Sequence, residues 1–178
     1  MSVNTTPTVT AEEYLAADRA ASFRSEFVNG EVFAMSGGRL AHAQLSSQVS
    51  RELQDALEGL PCIVTVADMR LQIAAGESYV YPDVMVLCGE PVFAEGLQDI
   101  ITNPSVVVEV LSESTEKWDR GGKFAQYRRV ASLREVCAGL ARRGARGVVY
   151  ARGGRCVDLP GGGGAGGCRS AGRFGRFA

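Results

Sequence analysis

One acid stands inside an otherwise apolar stretch, Pro104-Ser-Val-Val-Val-Glu-Val-Leu111. A run this short and this rich in β-branched residues reads as a buried strand. A carboxylate within it is costly unless it is paired, hydrogen-bonded or metal-bound. Glu109 therefore demands a partner that the fold has to deliver. Earlier in the chain, Tyr81-Pro-Asp-Val places Asp83 at the start of a second strand, Val80 to Leu87. Pro82 has no amide donor, so it belongs at a strand start or on an unpaired side. Neighbouring strands of one sheet can bring two such acids within several ångströms.

The rest of the chain supplies the frame. Thr10 followed by Glu13 is a capping box opening a short helix. Phe23 to Met35 reads as a hairpin around Asn29-Gly30, since both residues tolerate positive φ. Leu45, Val49, Leu53 and Leu57 recur every fourth residue and predict a helix from Leu40 to Leu57, ended by Gly59 and Pro61. Cys62 to Ile73 is rich in strand signals, and Gly89 to Asn103 reads as a connecting loop. Glu116 to Val130 reads as a helix carrying Lys117, Lys123 and Tyr127.

Two close carboxylates repel, and a divalent cation removes that repulsion. Few carboxylates with water and phosphate completing the shell suit Mg²⁺. Such an ion activates water or stabilises charge on a phosphate. Lys123 lies on the following helix and reaches the same place if that helix packs back over the sheet; Tyr127 is one turn further along. The competing reading is structural: Glu109 paired with Arg70 or Lys123 in a buried ion pair. His42, the sole histidine, and Glu26, beside the hairpin turn, are accessory candidates; each also has a purely structural reading. No nucleophile elbow points to a serine or cysteine hydrolase.

Together these residues form an ordered set: Glu26-Phe-Val-Asn-Gly-Glu-Val, Ala41-His42, Tyr81-Pro-Asp-Val, Val107-Val-Glu-Val-Leu-Ser-Glu-Ser-Thr, Asp119-Arg, Lys123, Tyr127 and Ser132-Leu-Arg-Glu135. Over about residues 8–135 the chain resembles the Uma-two family of restriction endonuclease-like proteins, a branch of the PD-(D/E)XK superfamily. The resemblance implies an α/β fold, a mixed sheet flanked by helices with an N-terminal helix and hairpin. It implies a Mg²⁺-dependent (or Mn²⁺-dependent) endonuclease cutting DNA with metal-activated water. Asp83 and Glu109 would then bind the metal, with Lys123 completing the catalytic set and Glu26, His42 and Tyr127 accessory to it. The superfamily lysine normally follows the second acid by two residues. Here Leu111 stands there, so the role passes to Lys123. A non-catalytic DNA-binding or interaction domain, or an inactive product, is the alternative. A homodimer is a further implication, since nucleases of this type often act on symmetric sites.

The family's next strand should begin near Glu135 and run to about 142. Here the composition changes at Val136: residues 136–178 hold eight arginines and one acid, Asp158, and Gly161–Gly167 is nearly all glycine. Val-Cys-Ala-Gly-Leu-Ala-Arg-Arg can be encoded by codons that, read with a one-base frame change after Glu135, give the strand-like Tyr-Val-Leu-Val-Ser-Arg-Asp. We therefore expect a nuclease-like domain over 1–135, a poorly ordered Gly/Arg-rich tail over 136–178, and loss of a strand at the boundary. The five cysteines include no C-x-x-C pair, which argues against a disulfide framework or zinc site and for a reducing, cytoplasmic setting. No leader-like N-terminus or membrane-length apolar run is evident. The net charge of −1 gives no bulk attraction for a polyanion, so a DNA reading rests on the site alone.

Overall fold

A computed structural model of the chain describes residues 9–35, 39–111, 122–140, 148–151 and 156–158. Thr10 caps the first helix, α1 (Ala11–Ala20), as its spacing predicts: Thr10 Oγ1 accepts from the Glu13 amide at 3.2 Å, and Glu13 Oε2 accepts from the Thr10 amide at 2.9 Å. The hairpin follows as β1 (Ser25–Val28) and β2 (Glu31–Ala34). Its turn puts Asn29 at φ 51° and Gly30 at φ 89°, which is why these two residue types stand there. The long helix α2 spans Leu40–Ala56.

The strand-rich stretch Cys62–Ile73 and the expected strand Val80–Leu87 are each divided between two sheets. Cys62–Ile73 gives β3 (Cys62–Val66) and β4 (Arg70–Ile73), separated at Ala67, whose φ is 35°. The second gives β5 (Ser78–Val80) and β6 (Val84–Cys88), with Tyr81-Pro82-Asp83 crossing between sheets. The missing amide of Pro82 makes a break in the ladder there natural. Within the expected loop 89–103 lies a short β7 (Ile100–Ile101), parallel to β4. Then come β8 (Val106–Leu111), the single turn α3 (Phe124–Tyr127), β9 (Glu135–Leu140), β10 (Val148–Ala151) and β11 (Cys156–Asp158). Of the helix expected over 116–130, residues 116–121 lie outside the described residues.

Both sheets are mixed. One has the order β2-β1-β5-β4-β7, the other β11-β10-β9-β8-β6-β3. The expectation of a lost strand at Glu135 is not met: β9 pairs in parallel with β8 along six positions, from Val106↔Glu135 to Leu111↔Leu140. Backbone pairing needs only extended residues, and alternation does the rest, sending Cys137 to the α2 side of the sheet and Val136 to the other. Most of the Gly/Arg-rich segment, and with it the outcome of a frame change, lies outside the described residues.

α2 covers one face of the second sheet. Leu45, Val49, Leu53 and Leu57 pack on Val84, Val86, Val106, Val108 and Val110. Burying each of these side chains is worth about 1.5–3 kcal/mol relative to exposure. The opposite face holds Met85, Val107, Tyr127, Val130 and Val136.

The cysteine expectation is corrected. Cys62 and Cys88 face each other across the β3–β6 ladder and form a disulfide with an S–S distance of 2.06 Å. Register, which spacing in the sequence does not reveal, brings them together, and this removes one ground for expecting a reducing compartment. Cys137 is a buried free thiol whose pKa burial pushes up to about 12, which suits a packing role. Among the described residues no helix is long and apolar enough to cross a membrane.

Candidate active site

The site forms where the chain crosses from the first sheet to the second. Strand alternation turns Val106, Val108 and Val110 toward α2 and leaves Glu109 on the other face with Val107. The β6–β8 register pairs Val84 with Val108. Asp83 immediately precedes the end of this antiparallel ladder, and its charge acts on Glu109. The Val110 amide donates to Asp83 Oδ2 at 2.6 Å, tying the loop-borne acid to the end of β8.

Three further side chains converge on Glu109. Lys123 Nζ lies 3.3 Å from Glu109 Oε1 and 2.9 Å from Glu26 Oε1, joining the two sheets through one ammonium. The Tyr127 hydroxyl donates a short hydrogen bond to the same Glu109 oxygen. Glu26 also accepts from the Tyr81 amide at 3.0 Å. On the far side of Asp83, His42 Nε2 lies 3.2 Å from Asp83 Oδ1. Glu26, His42, Asp83, Glu109, and Lys123 with Tyr127 thus come together from five separate stretches of sequence.

Glu109, Lys123 and Glu26 are buried, while Asp83 and His42 retain partial access to solvent. Burial pushes the Glu109 carboxyl well above the usual carboxylate range. Lys123 and the Tyr127 hydrogen bond oppose that rise, whereas the charges of Asp83 and Glu26 add to it. Burial, and then the Glu109 charge, likewise raise Tyr127, which keeps its phenol protonated and donating. Among the described residues, the arrangement sets the carboxyls of Glu26, Asp83 and Glu109 beside the lysine Lys123. The expected pairing of Glu109 with Lys123 is met. Arg70 is committed elsewhere, to Asp18 at 2.7 Å and to Asp99.

Sequence reasoning missed that second cluster. Asp18 receives bonds from Arg70, from the Ser25 amide and hydroxyl, and from the Tyr81 hydroxyl. Asp18 looks like an ordinary exposed helix position, and nothing in the sequence signals otherwise. Tyr81 stood within the Tyr-Pro-Asp motif and was the available clue. Lys117 and Asp119-Arg lie outside the described residues.

Among the described residues no three His, Cys, Asp or Glu side chains form a ready-made coordination shell. The donor chemistry nonetheless suits a hard divalent cation: the carboxylates of Asp83 and Glu109 lie near each other, and Glu26 is joined to Glu109 through Lys123.

The family model described as "Putative restriction endonuclease" (Uma2) matches residues 11–145. The chain belongs to the Uma2 family. Two uncharacterized proteins of Synechocystis sp. are similar to it. One is 42% identical over 135 residues, covering 76% of both chains. The other is 39% identical over 121 residues, covering 68% of this chain and 63% of the relative. A crystal structure from Anabaena variabilis, described as a "putative nuclease belonging to DUF820", superposes with a TM-score of 0.56 at 15% identity, covering 84% of this chain and 83% of that one. That likeness shows a shared fold. Membership of Uma2 supports a nuclease-type protein of the restriction endonuclease class, a class that typically uses a divalent metal.

Proposed function

We propose that the protein is a Mg²⁺-dependent endonuclease that hydrolyses DNA phosphodiester bonds, with Mn²⁺ able to substitute. The observation that carries this reading is the Lys123 ammonium bridging the buried Glu109 and Glu26, with the Asp83 carboxylate held by the Val110 amide, next to Glu109 in the chain. Asp83 and Glu109 would hold the ion. When bound, it would supply charge stabilisation at the scissile phosphate and a water of lowered pKa. Lys123 presents positive charge where negative charge grows on the phosphate, and Glu26 limits its motion through the 2.9 Å contact. Tyr127 orients Glu109, and His42 orients Asp83. Water adds to phosphorus, one P–O bond breaks, and the products are a phosphate monoester end and a hydroxyl end.

The direct assay is supercoiled plasmid incubated with the full chain and Mg²⁺ or Mn²⁺, with Asp83→Asn alongside. The wild type is expected to nick and linearise the plasmid, chelator to stop it, and Asp83→Asn to reduce cutting to background. Equal cutting by both proteins removes Asp83 from the site. Intact plasmid with either ion would leave the cluster as a structural ion-pair network in a non-catalytic domain.

A further inference from the structure

Tyr81 sits two residues before Asp83, where the chain leaves the first sheet, and it is held at three points. Its hydroxyl donates to Asp18 Oδ2 at 2.8 Å. Its ring lies under two guanidinium groups, with Arg24 Cζ and Arg70 Cζ each 5.2 Å from the ring centroid. Its amide donates to Glu26 Oε1 at 3.0 Å. The anchors are themselves fixed. Arg70 bonds Asp18 at 2.7 Å, and Asp18 bonds the Ser25 amide at 2.7 Å, one residue from Glu26. Arg24 donates to the Ala67 carbonyl at 2.9 Å, and the Ala67 amide donates to the Asp83 carbonyl at 3.1 Å. Pro82, between Tyr81 and Asp83, restricts the linking backbone.

We propose that Tyr81 is a positioning residue: held by hydroxyl, ring and amide, it sets where the Asp83 and Glu26 carboxylates stand relative to Glu109. The inference deepens the metal-site reading above and rests on it for its functional meaning. Cation–π contact adds restraint on the ring that an aliphatic residue of similar size would lack.

A merely structural tyrosine predicts the same geometry, so the test needs a local reporter. His42 is the only histidine in the chain and contacts Asp83, so its ring resonances at fixed pH report the placement of that acid in tag-free protein. Tyr79→Phe is the control. It deletes the hydroxyl of another buried tyrosine, which accepts from Gln72 Nε2 at 2.9 Å, away from Asp18 and Arg70. Tyr81→Phe is expected to shift the His42 resonances and weaken Mn²⁺ binding, measured by calorimetry, by roughly tenfold or more. Tyr79→Phe is expected to leave both readouts at wild-type values. Unchanged readouts in Tyr81→Phe, or equal changes in Tyr79→Phe, overturn the proposal. If Tyr81→Phe fails to fold, Arg24→Gln decides: it removes one guanidinium from the ring, and an unmoved His42 resonance overturns the proposal. Should the wild type bind no Mn²⁺, the metal reading fails, and the His42 resonances alone still judge the positioning claim.

Discussion

Glu109→Gln should lower Mg²⁺-dependent cleavage by roughly 10³-fold or more, since a metal supplies several kcal/mol of transition-state stabilisation, yet leave the protein at least as stable as wild type at neutral pH. The substitution keeps the shape of the side chain and an oxygen that accepts from Tyr127 and Lys123. It removes one acid from a place where Asp83 and Glu26 already raise the Glu109 pKa by their charge. The sign of the pH dependence follows from the raised Glu109 pKa. The folded protein holds the Glu109 proton more tightly than the unfolded chain does. Ionised Glu109 therefore costs stability as pH rises above the unfolded value of about 4.3, and protonation restores it as pH falls. The stability advantage of Glu109→Gln should be largest near pH 8 and vanish toward pH 4. Paired thermal melts and plasmid assays read both effects. A variant that cuts like wild type, or that melts lower at pH 8, contradicts the assignment. Sites that trade stability for chemistry behave this way, whereas a structural ion pair does not.

Lys123→Met should do the opposite to stability. Lys123 is the buried cation shared by Glu26 and Glu109. Removing one partner from a buried ion pair typically costs roughly 3–5 kcal/mol, because a charge is left uncompensated. The carboxyls left behind can escape by taking up protons. Without the lysine, which opposes the rise, the folded pKa of Glu109 goes up further, so the penalty is widest near pH 8 and shrinks as pH falls toward 5. Cleavage should be lost as well. The double variant Glu109→Gln/Lys123→Met should be more stable than Lys123→Met alone, since the two positions are in contact and their effects are not additive. Denaturant unfolding at both pH values measures this. A Lys123→Met protein as stable as wild type at pH 8 would show that the ammonium is not the counter-charge the geometry implies.

Much of this was legible in the sequence because the signals were local. The Thr10–Glu13 capping box, the Asn29-Gly30 turn and the four-residue spacing of α2 each specify a conformation through neighbours only. Glu109 was legible as an anomaly, an acid in a valine strand whose burial required partners. What lay beyond reach depended on register and on which sheet a strand joins. Cys62 meets Cys88 only because β3 and β6 align at those positions. Val136-Cys-Ala-Gly carries no strand signature strong enough to read alone, yet β8 offers it a parallel edge and the hydrogen bonds to hold it. Asp18 and Arg70, polar positions with ordinary neighbours, reveal their bond only once α1 lies against β4.

The proposed sharing of one divalent cation by Asp83 and Glu109 is decided by a crystal of the full chain grown with Mn²⁺, with data collected near the manganese absorption edge. An anomalous peak within coordination distance of both carboxylates, with Lys123 beside it, is expected. An anomalous map empty between them, with Lys123 still joining Glu26 to Glu109, would contradict it.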